Sequence, residues 1–586
     1  MLSRREFCAA LSMVSAAPAI AAEQEGQVRY VRPRRAQKYG FGDGSSYDNA
    51  WNGMVAIGAS QWAELDTPGK SATLWVCGTH LERIDLAVYA GEFGGTTFTA
   101  TGRQDGLVIR GDHPDDPGTI DTRGHTYTFR NRNIGPTPVY DQWIAGANTG
   151  AGAICASVNF WTACNVTLRG LKIFAGASPL NCTSVNNAAA KRMDLYYPPG
   201  GLTPCADATY AGVAIYYPQN TAIFSNEGSR NLRISGCTIS GNEANSRVAV
   251  GLQGGAGKSS AITIDDCDIS GFLKGVMMSF GRVTQNLKVL IAGNKIHDLG
   301  FADGDNDFVD GIVCYGEFSG SARSCEIVGN DVSGFYQDGI DLFYAGGVVV
   351  KNNFIHDAKL TRIAYMISPF WNADEKIGDQ NGIKFGGDGS FGGNRITGNI
   401  VAGMLMAGIS SNHTGNHALI ANNLVLGSGD EFGGDGIIVF GSQSVGNLIV
   451  NNTIVGYKRG VTCESGGNAI LNNVCKSAPK SAKYINGGRP QADILINGQG
   501  AASGNRTATN LLANGLLVKM NGGSSMDAGN RTGKPDFVNE AARDYRLRVG
   551  SPGAGTHPGV EITDRASRNA ARPYGIGVID GPMTEQ

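Results

Sequence analysis

Lys384 stands in the stretch QNGIKFGG at 380–387, between Ile383 and Phe385. A strand alternates its side chains, so the two apolar neighbours face one way and the lysine the other. Lysine is depleted in strands and seldom buried without a partner. It is therefore either a solvated side chain on an outer face or an amine placed to accept a proton. Six further stretches share its shape, a glycine followed by Ile or Val. They are KGVMM from Lys274, DGIVC from Asp310, DGIDLF from Asp338, AGISS from Ala407, DGIIVF from Asp435 and RGVTC from Arg459. Aligned on the glycine, the preceding residue forms the column Lys274, Asp310, Asp338, Asn381, Ala407, Asp435, Arg459. The residue two after the glycine forms the column Met277, Val313, Asp341, Lys384, Ser410, Ile438, Thr462. Between them runs Val276, Ile312, Ile340, Ile383, Ile409, Ile437, Val461, an unbroken apolar line that reads as the core stripe. The flanking columns are expected to point outward, onto one exposed face.

Neighbouring strands of one parallel sheet lie about 4.8 Å apart. Asp310, Asp338, Asp341 and Lys384 then fall within three successive strands, with Asp307 and Gln337 close in sequence. Several carboxylates this close repel unless a cation joins them. Oxygen ligands on rigid strands suit Ca²⁺ better than Zn²⁺, which prefers nitrogen and sulfur. The plain alternative is a solvated acidic strip facing an ion-paired lysine. A dication nearby disfavours the ammonium form of a lysine, and such a lysine is suited to proton abstraction. The same cation neutralises a substrate carboxylate and acidifies the adjacent carbon. That combination fits β-elimination on a uronic acid, in which a base takes the C5 proton and the C4–oxygen bond breaks.

DGIDLF followed by GDQNGIKFGG resembles the core signature of polysaccharide lyase family 9, the pectate-lyase-like β-helix enzymes. DGSSYDNAW at 43–51 and GTH at 78–80 are similar to that family's N-terminal region. The likeness is loose over most of the chain and specific only across 310–387. It implies that Lys384 is the base, that Asp338, Asp341 and Asp310 hold Ca²⁺, and that the substrate is an acidic polysaccharide. The family often carries two aspartates before the glycine, whereas this chain has Gln337 and then Asp338, a lost charge that Asp307 is placed to restore. The segment RIAYMISPFWNADEKIGD at 362–379 is rich in aromatic and charged residues. From it Tyr365, Phe370 and Trp371 are candidates to stack on sugars or to pack on the fold. Arg362 and Asn381 are candidate substrate contacts. Rival readings are a glycoside hydrolase using two carboxyls, such as Asp338 with Asp341 or Asp435 with a neighbour, a uronate epimerase, and a non-catalytic polysaccharide-binding β-helix.

The elements that must hold these columns are legible as a repeat. I-x-x-N-x-I/V recurs as IAGNKIHD at 291–298, IVGNDVSG at 327–334, VKNNFIHD at 350–357, ITGNIVAG at 396–403, IANNLVLG at 420–427, IVNNTIVG at 449–456 and ILNNVCKS at 470–477. ISGCTISG at 234–241 and IDDCDISG at 264–271 carry Cys237 and Cys267 in the asparagine slot. The spacing runs from the low twenties to the mid-forties, too uneven for propeller blades and long enough for three short strands per turn. The reading is all-β: a right-handed parallel β-helix whose slot residues stack as a ladder. Open ends need closure. The expected division is 23–120 as an N-terminal cap and first coils, 121–480 as the helix with its groove, and 481–586 as last coils and an irregular capping segment.

SRREF at 3–7 ahead of a short, mildly apolar run with Ala19-Ile20-Ala21 reads as a twin-arginine signal over 1–22, with export to the periplasm or beyond. No run is long enough to span a membrane as a helix. The net charge of −2 and the low charged content of 17% give no polycation signature for nucleic acid. The chain is expected to work as a monomer. Of twelve cysteines, Cys8 leaves with the signal; Cys155 with Cys164, or Cys182 with Cys205, are possible disulfides, and buried free thiols are the alternative. His80, His297 and His356 read as structural.

Overall fold

The computed structural model describes residues 26–66, 71–86, 106–123, 156–161, 164–175, 221–225, 230–241, 248–253, 260–282, 287–300, 309–318, 323–359, 380–387, 392–412, 414–427, 434–478, 489–498, 503–542, 544–548 and 551. The signal-like segment, Asp307, Arg362, Tyr365, Phe370, Trp371, Cys155, Cys182 and Cys205 lie outside them, as does the side chain of Cys164.

Each turn of the chain adds one strand to each of three parallel sheets, and the protein is a right-handed parallel β-helix. The first sheet runs from Trp51–Asn52, paired to Gln27–Arg32, to Ser525–Ala528, the second from Thr79–His80 to Arg531–Thr532, and the third from Ile84–Asp85 to Leu517–Met520. The inward residues form one continuous apolar column system, because most strands bury an Ile, Val or Leu against the same lumen. At the N-terminal end the helix Ala59–Leu65 supplies Trp62 and Leu65 to that core, so it plugs the first coil.

The repeat phrase has a conformational cause. The residue before each slot takes a left-handed backbone, with φ +65° at Gly293, +66° at Gly398 and +56° at Asn422 and Asn451. Only Gly, Asn and Asp adopt it cheaply, which is why the phrase reads G-N or N-N. Each slot asparagine then closes a ladder between the first and second sheets. Asn423 Oδ1 accepts from the Asn399 backbone N–H at 2.9 Å and from its Nδ2 at 3.0 Å, while Asn423 Nδ2 donates to Ile396 O at 2.9 Å. The Cys267 and Cys237 thiols aim at the equivalent carbonyls, Ile234 O at 3.7 Å and Leu168 O at 3.9 Å. The ladder continues past the last recognisable phrase, through Asn510 and Asn530.

A second ladder stands at the opposite corner, between the third and first sheets. Asn447 donates to Asn468 Oδ1 from its backbone at 2.8 Å and from Nδ2 at 3.0 Å, and Asn468 N–H donates to Asn505 Oδ1 at 2.9 Å. The seven cysteines whose side chains are described are buried free thiols, with Cys314 and Cys325 Sγ 4.0 Å apart across the lumen. No helix among the described residues is long and apolar enough to cross a membrane.

Candidate functional site

The third sheet carries both columns in the aligned register. Asp338 pairs with Asn381, Asp341 with Lys384, and Lys384 with Ser410 on the following strand. The intervening Ile340, Ile383 and Ile409 are fully buried core residues. The glycines between the columns leave no room for a side chain. A Cβ on Gly339 would lie 2.4 Å from Ile355 Cγ2 and 2.7 Å from Gly382 O, and one on Gly382 would lie 2.2 Å from Val401 Cγ1.

Exposure departs from expectation. The outward columns are covered: Lys274, Asp310, Asp338, Asn381 and Asp341 are 0% exposed and Lys384 is 5% exposed. Side chains stacked one coil apart shield one another, and charges removed from water in this way must be paired. Here they are. Lys384 Nζ donates to Asp338 Oδ2 at 3.2 Å, and Asp338 Oδ1 accepts from Asn381 Nδ2 at 2.8 Å. Asp310 Oδ1 accepts from the Asp338 backbone N–H at 3.0 Å, and its Oδ2 forms an ion pair with Lys274 Nζ. Asp341 Oδ1 accepts from the Phe343 N–H at 3.0 Å. The result is two ion pairs, Lys274 with Asp310 and Lys384 with Asp338, joined by the Asp338 N–H to Asp310 bond across four consecutive strands.

This pairing bears on the expected calcium cage. Asp310 and Asp338 are each engaged by a lysine, and among the described residues no three His, Cys, Asp or Glu side chains converge to hold a metal ion. The described residues alone do not fit a calcium site. Asp435 is also spoken for: Arg459 clamps both its oxygens, at 2.6 and 2.9 Å, and the Thr462 hydroxyl donates to it.

A family model for a right-handed β-helix region matches residues 201–355. No curated protein matches the chain. Among solved structures it is similar to pectate lyase Pel9A, at 14% identity over 80% of this chain and 82% of that one, with a TM-score of 0.33. It is also similar to the periplasmic alginate epimerase AlgG, at 12% identity over 80% and 78% of the two chains, with a TM-score of 0.35. The Dettilon tailspike protein gp208 is similar at 14% identity over 87% and 70%, with a TM-score of 0.40. The chemistry of the site rests on its own residues.

Three aromatic residues beside Lys384 went unnoticed in the sequence. Tyr315, Phe343 and Tyr344 are half-buried at the ends of the strands Asp310–Glu317 and Asp338–Phe343. Lys384 Nζ lies 5.8 Å from the Phe343 ring centroid, Tyr315 meets that ring edge-on at 6.5 Å, and Tyr344 meets it at 4.1 Å. Tyr344 holds φ +59°, rare for a bulky residue. The signal was present as the Phe-Tyr doublet that follows the aspartates. His80 is buried in the cap with Nε2 3.0 Å from Cys77 O, and burial pushes it down to about 4.

Proposed function

We propose that this protein cleaves a uronic-acid-containing polysaccharide by β-elimination, with Lys384 as the base. The observation that supports this most is a 5% exposed lysine in register with Asp341 and 3.2 Å from Asp338, in the two stretches that resemble the lyase signature. Neutral Lys384 takes the C5 proton of a bound uronate. The released electron pair forms the C4=C5 double bond, the C4–oxygen bond breaks, and the leaving oxygen takes a proton from water. Asn381, bonded to the same carboxylate as Lys384, keeps Asp338 in place. Tyr315, Phe343 and Tyr344 are the proposed flank for a sugar ring. A hydrolase reading centred on Asp435 has less support, because Arg459 holds both of its oxygens.

Calcium is a separate proposal and no step is assigned to it. Asp341 together with Asp307 would have to supply the ligands. Calorimetric titration of Ca²⁺ into chelator-treated protein tests it: heat of binding that vanishes in Asp341→Asn supports the site, and no heat in the parent protein removes it.

The activity is tested with a panel of uronate polymers followed by ultraviolet absorbance of the unsaturated product at alkaline pH, with and without Ca²⁺. Absorbance gain on at least one polymer is expected. No gain on any, or a changed sugar configuration without chain cleavage, defeats the lyase reading.

A further inference from the structure

The first coils carry a second grouping of side chains, on a different sheet from Lys384. Tyr30, Trp75, Arg110 and Arg169 are register partners on four successive strands of the first sheet. They make one row that advances by about 4.8 Å per coil. Beside it, Tyr47 stacks on His113 with centroids 5.3 Å apart, Trp75 meets the same imidazole edge-on at 5.3 Å, and the Arg110 guanidinium lies 4.3 Å over Trp75. The Arg32 guanidinium is held between the Tyr39 and Tyr47 rings, at 4.4 and 4.0 Å, and Arg35 lies on Tyr39 at 3.6 Å.

The balance of charge here is uneven. The stretch RYVRPRRAQK at 29–38 brings five cations. Arg29 is paired with Glu64, and Arg110 with Asp112. Among the described residues, Arg32, Arg34, Arg35 and Lys38 have no carboxylate partner; Arg32 Nε is buried without a hydrogen bond, so any ligand would meet the outer Nη side of that guanidinium. Among the described residues, the Arg35 guanidinium donates only to the Gln37 and Lys38 carbonyls, from Nε and Nη2. A guanidinium laid flat on an aromatic face is fixed in orientation; in Arg35 the Nε side is held by backbone carbonyls, and the Nη1–Nη2 edge is the one that matches a planar carboxylate in two parallel hydrogen bonds.

We propose that this cationic, aromatic surface of the N-terminal coils binds a carboxylate-bearing polysaccharide, apart from the third-sheet site. Arg32 and Arg35 receive carboxylates along the chain, and the row Tyr30, Trp75, Arg110, Arg169 continues the track one residue per coil. Nucleic acid fits less well. The guanidinium and imidazole groups already lie on the Tyr39, Tyr47 and Trp75 rings, leaving little face for base stacking. The overall charge of −2 also lacks the field that gathers a dense polyanion.

The test is affinity electrophoresis of the full chain carrying Lys384→Met, in gels containing polygalacturonate or alginate, with a neutral galactan gel as control. Retardation in a uronate gel and none in the neutral gel is expected. Adding Arg32→Gln and Arg35→Gln together should weaken that retention at least tenfold with the thermal midpoint unchanged. Arg35→Gln alone, on an exposed side chain, should weaken it severalfold, which guards against a double variant that fails to fold. Unchanged retention in these variants, equal retention by the neutral polymer, or equal affinity for a single-stranded oligonucleotide overturns the proposal. The readout is binding by a chain lacking the proposed base, so its outcome is independent of whether Lys384 eliminates.

Discussion

An amine accepts a proton only when neutral, and Asp338 sits 3.2 Å from Lys384 Nζ, where its charge favours the ammonium. With Lys384 as the proposed base, elimination should need alkaline pH, where hydroxide removes the proton that the Asp338 charge favours on the amine. Lys384→Met should lower elimination by about 10²–10⁴-fold, the usual worth of a positioned base. Lys384→Arg should be equally inactive, since a guanidinium does not deprotonate. Asp338→Asn keeps an oxygen for the lysine but removes the charge, so the rising limb of the rate against pH should move toward neutrality. Full activity in either Lys384 variant would place the base elsewhere. An unmoved limb in Asp338→Asn would mean that the carboxylate does not govern the proton on Lys384.

At the scale of the element, the asparagine ladder converts a sequence phrase into stability. Asn423→Ala removes the acceptor for two buried Asn399 donors and the donor to Ile396 O. At about 1–3 kcal/mol per stranded group, a loss of at least about 3 kcal/mol is expected in denaturant unfolding. Asn423→Cys should cost less, because a thiol at this slot already reaches the equivalent carbonyl at Cys237 and Cys267; equal costs would show that the donor is irrelevant. The second sheet adds a pH-dependent pair. His297 lies 2.7 Å from Asp268 and 2.7 Å from Asp298, and the Asp268 hydrogen bond raises it above 6.5 despite partial burial. His356 suffers burial first, but Asp331 and Asp357 outweigh that and raise it as well. A raised folded value means the stabilisation is complete below pH 6.5 and disappears as pH climbs through the folded values. The wild-type thermal midpoint should therefore fall more between pH 6.5 and 8.5 than that of the His297→Asn, His356→Asn double variant. These local rules also set what could be read in advance. I-x-G-N and I-x-N-N were legible because slot and left-handed residue recur together, and the Val/Ile line fixed the register of Asp341 and Lys384. The second ladder was not, since its Gly-Asn pairs at 393–394, 446–447, 467–468 and 504–505 lack a constant apolar companion. Nor was burial of the outward columns, because exposure depends on what stacks one coil away.

For the whole molecule, the question is how a solenoid ends without leaving sticky surface. The lumen is closed at its start by the helix Ala59–Leu65, but the C-terminal region acts on a face instead. The antiparallel pair Phe537–Asn539 and Asp544–Leu547 packs Phe537, Tyr545 and Leu547 against Ile400, Leu424, Val455, Val474 and Leu511. Ile400, Leu424, Val474 and Leu511 lie in one outward row of the second sheet. An exposed apolar row along a regular sheet invites self-association. Among the described residues the hairpin belongs to a cluster separate from the lumen core, so its loss should leave the coils folded. Phe537→Ala removes its largest anchor, which is 6% exposed, at a cost of about 3–5 kcal/mol by the usual measure of such truncations. That penalty should fall on hairpin docking alone. Limited proteolysis should then cut within 530–548 at protease levels that spare the parent protein. The main thermal transition should stay within a few degrees, and light scattering should rise with concentration. A matching drop in the main transition would instead show that the hairpin and the coils unfold as one unit.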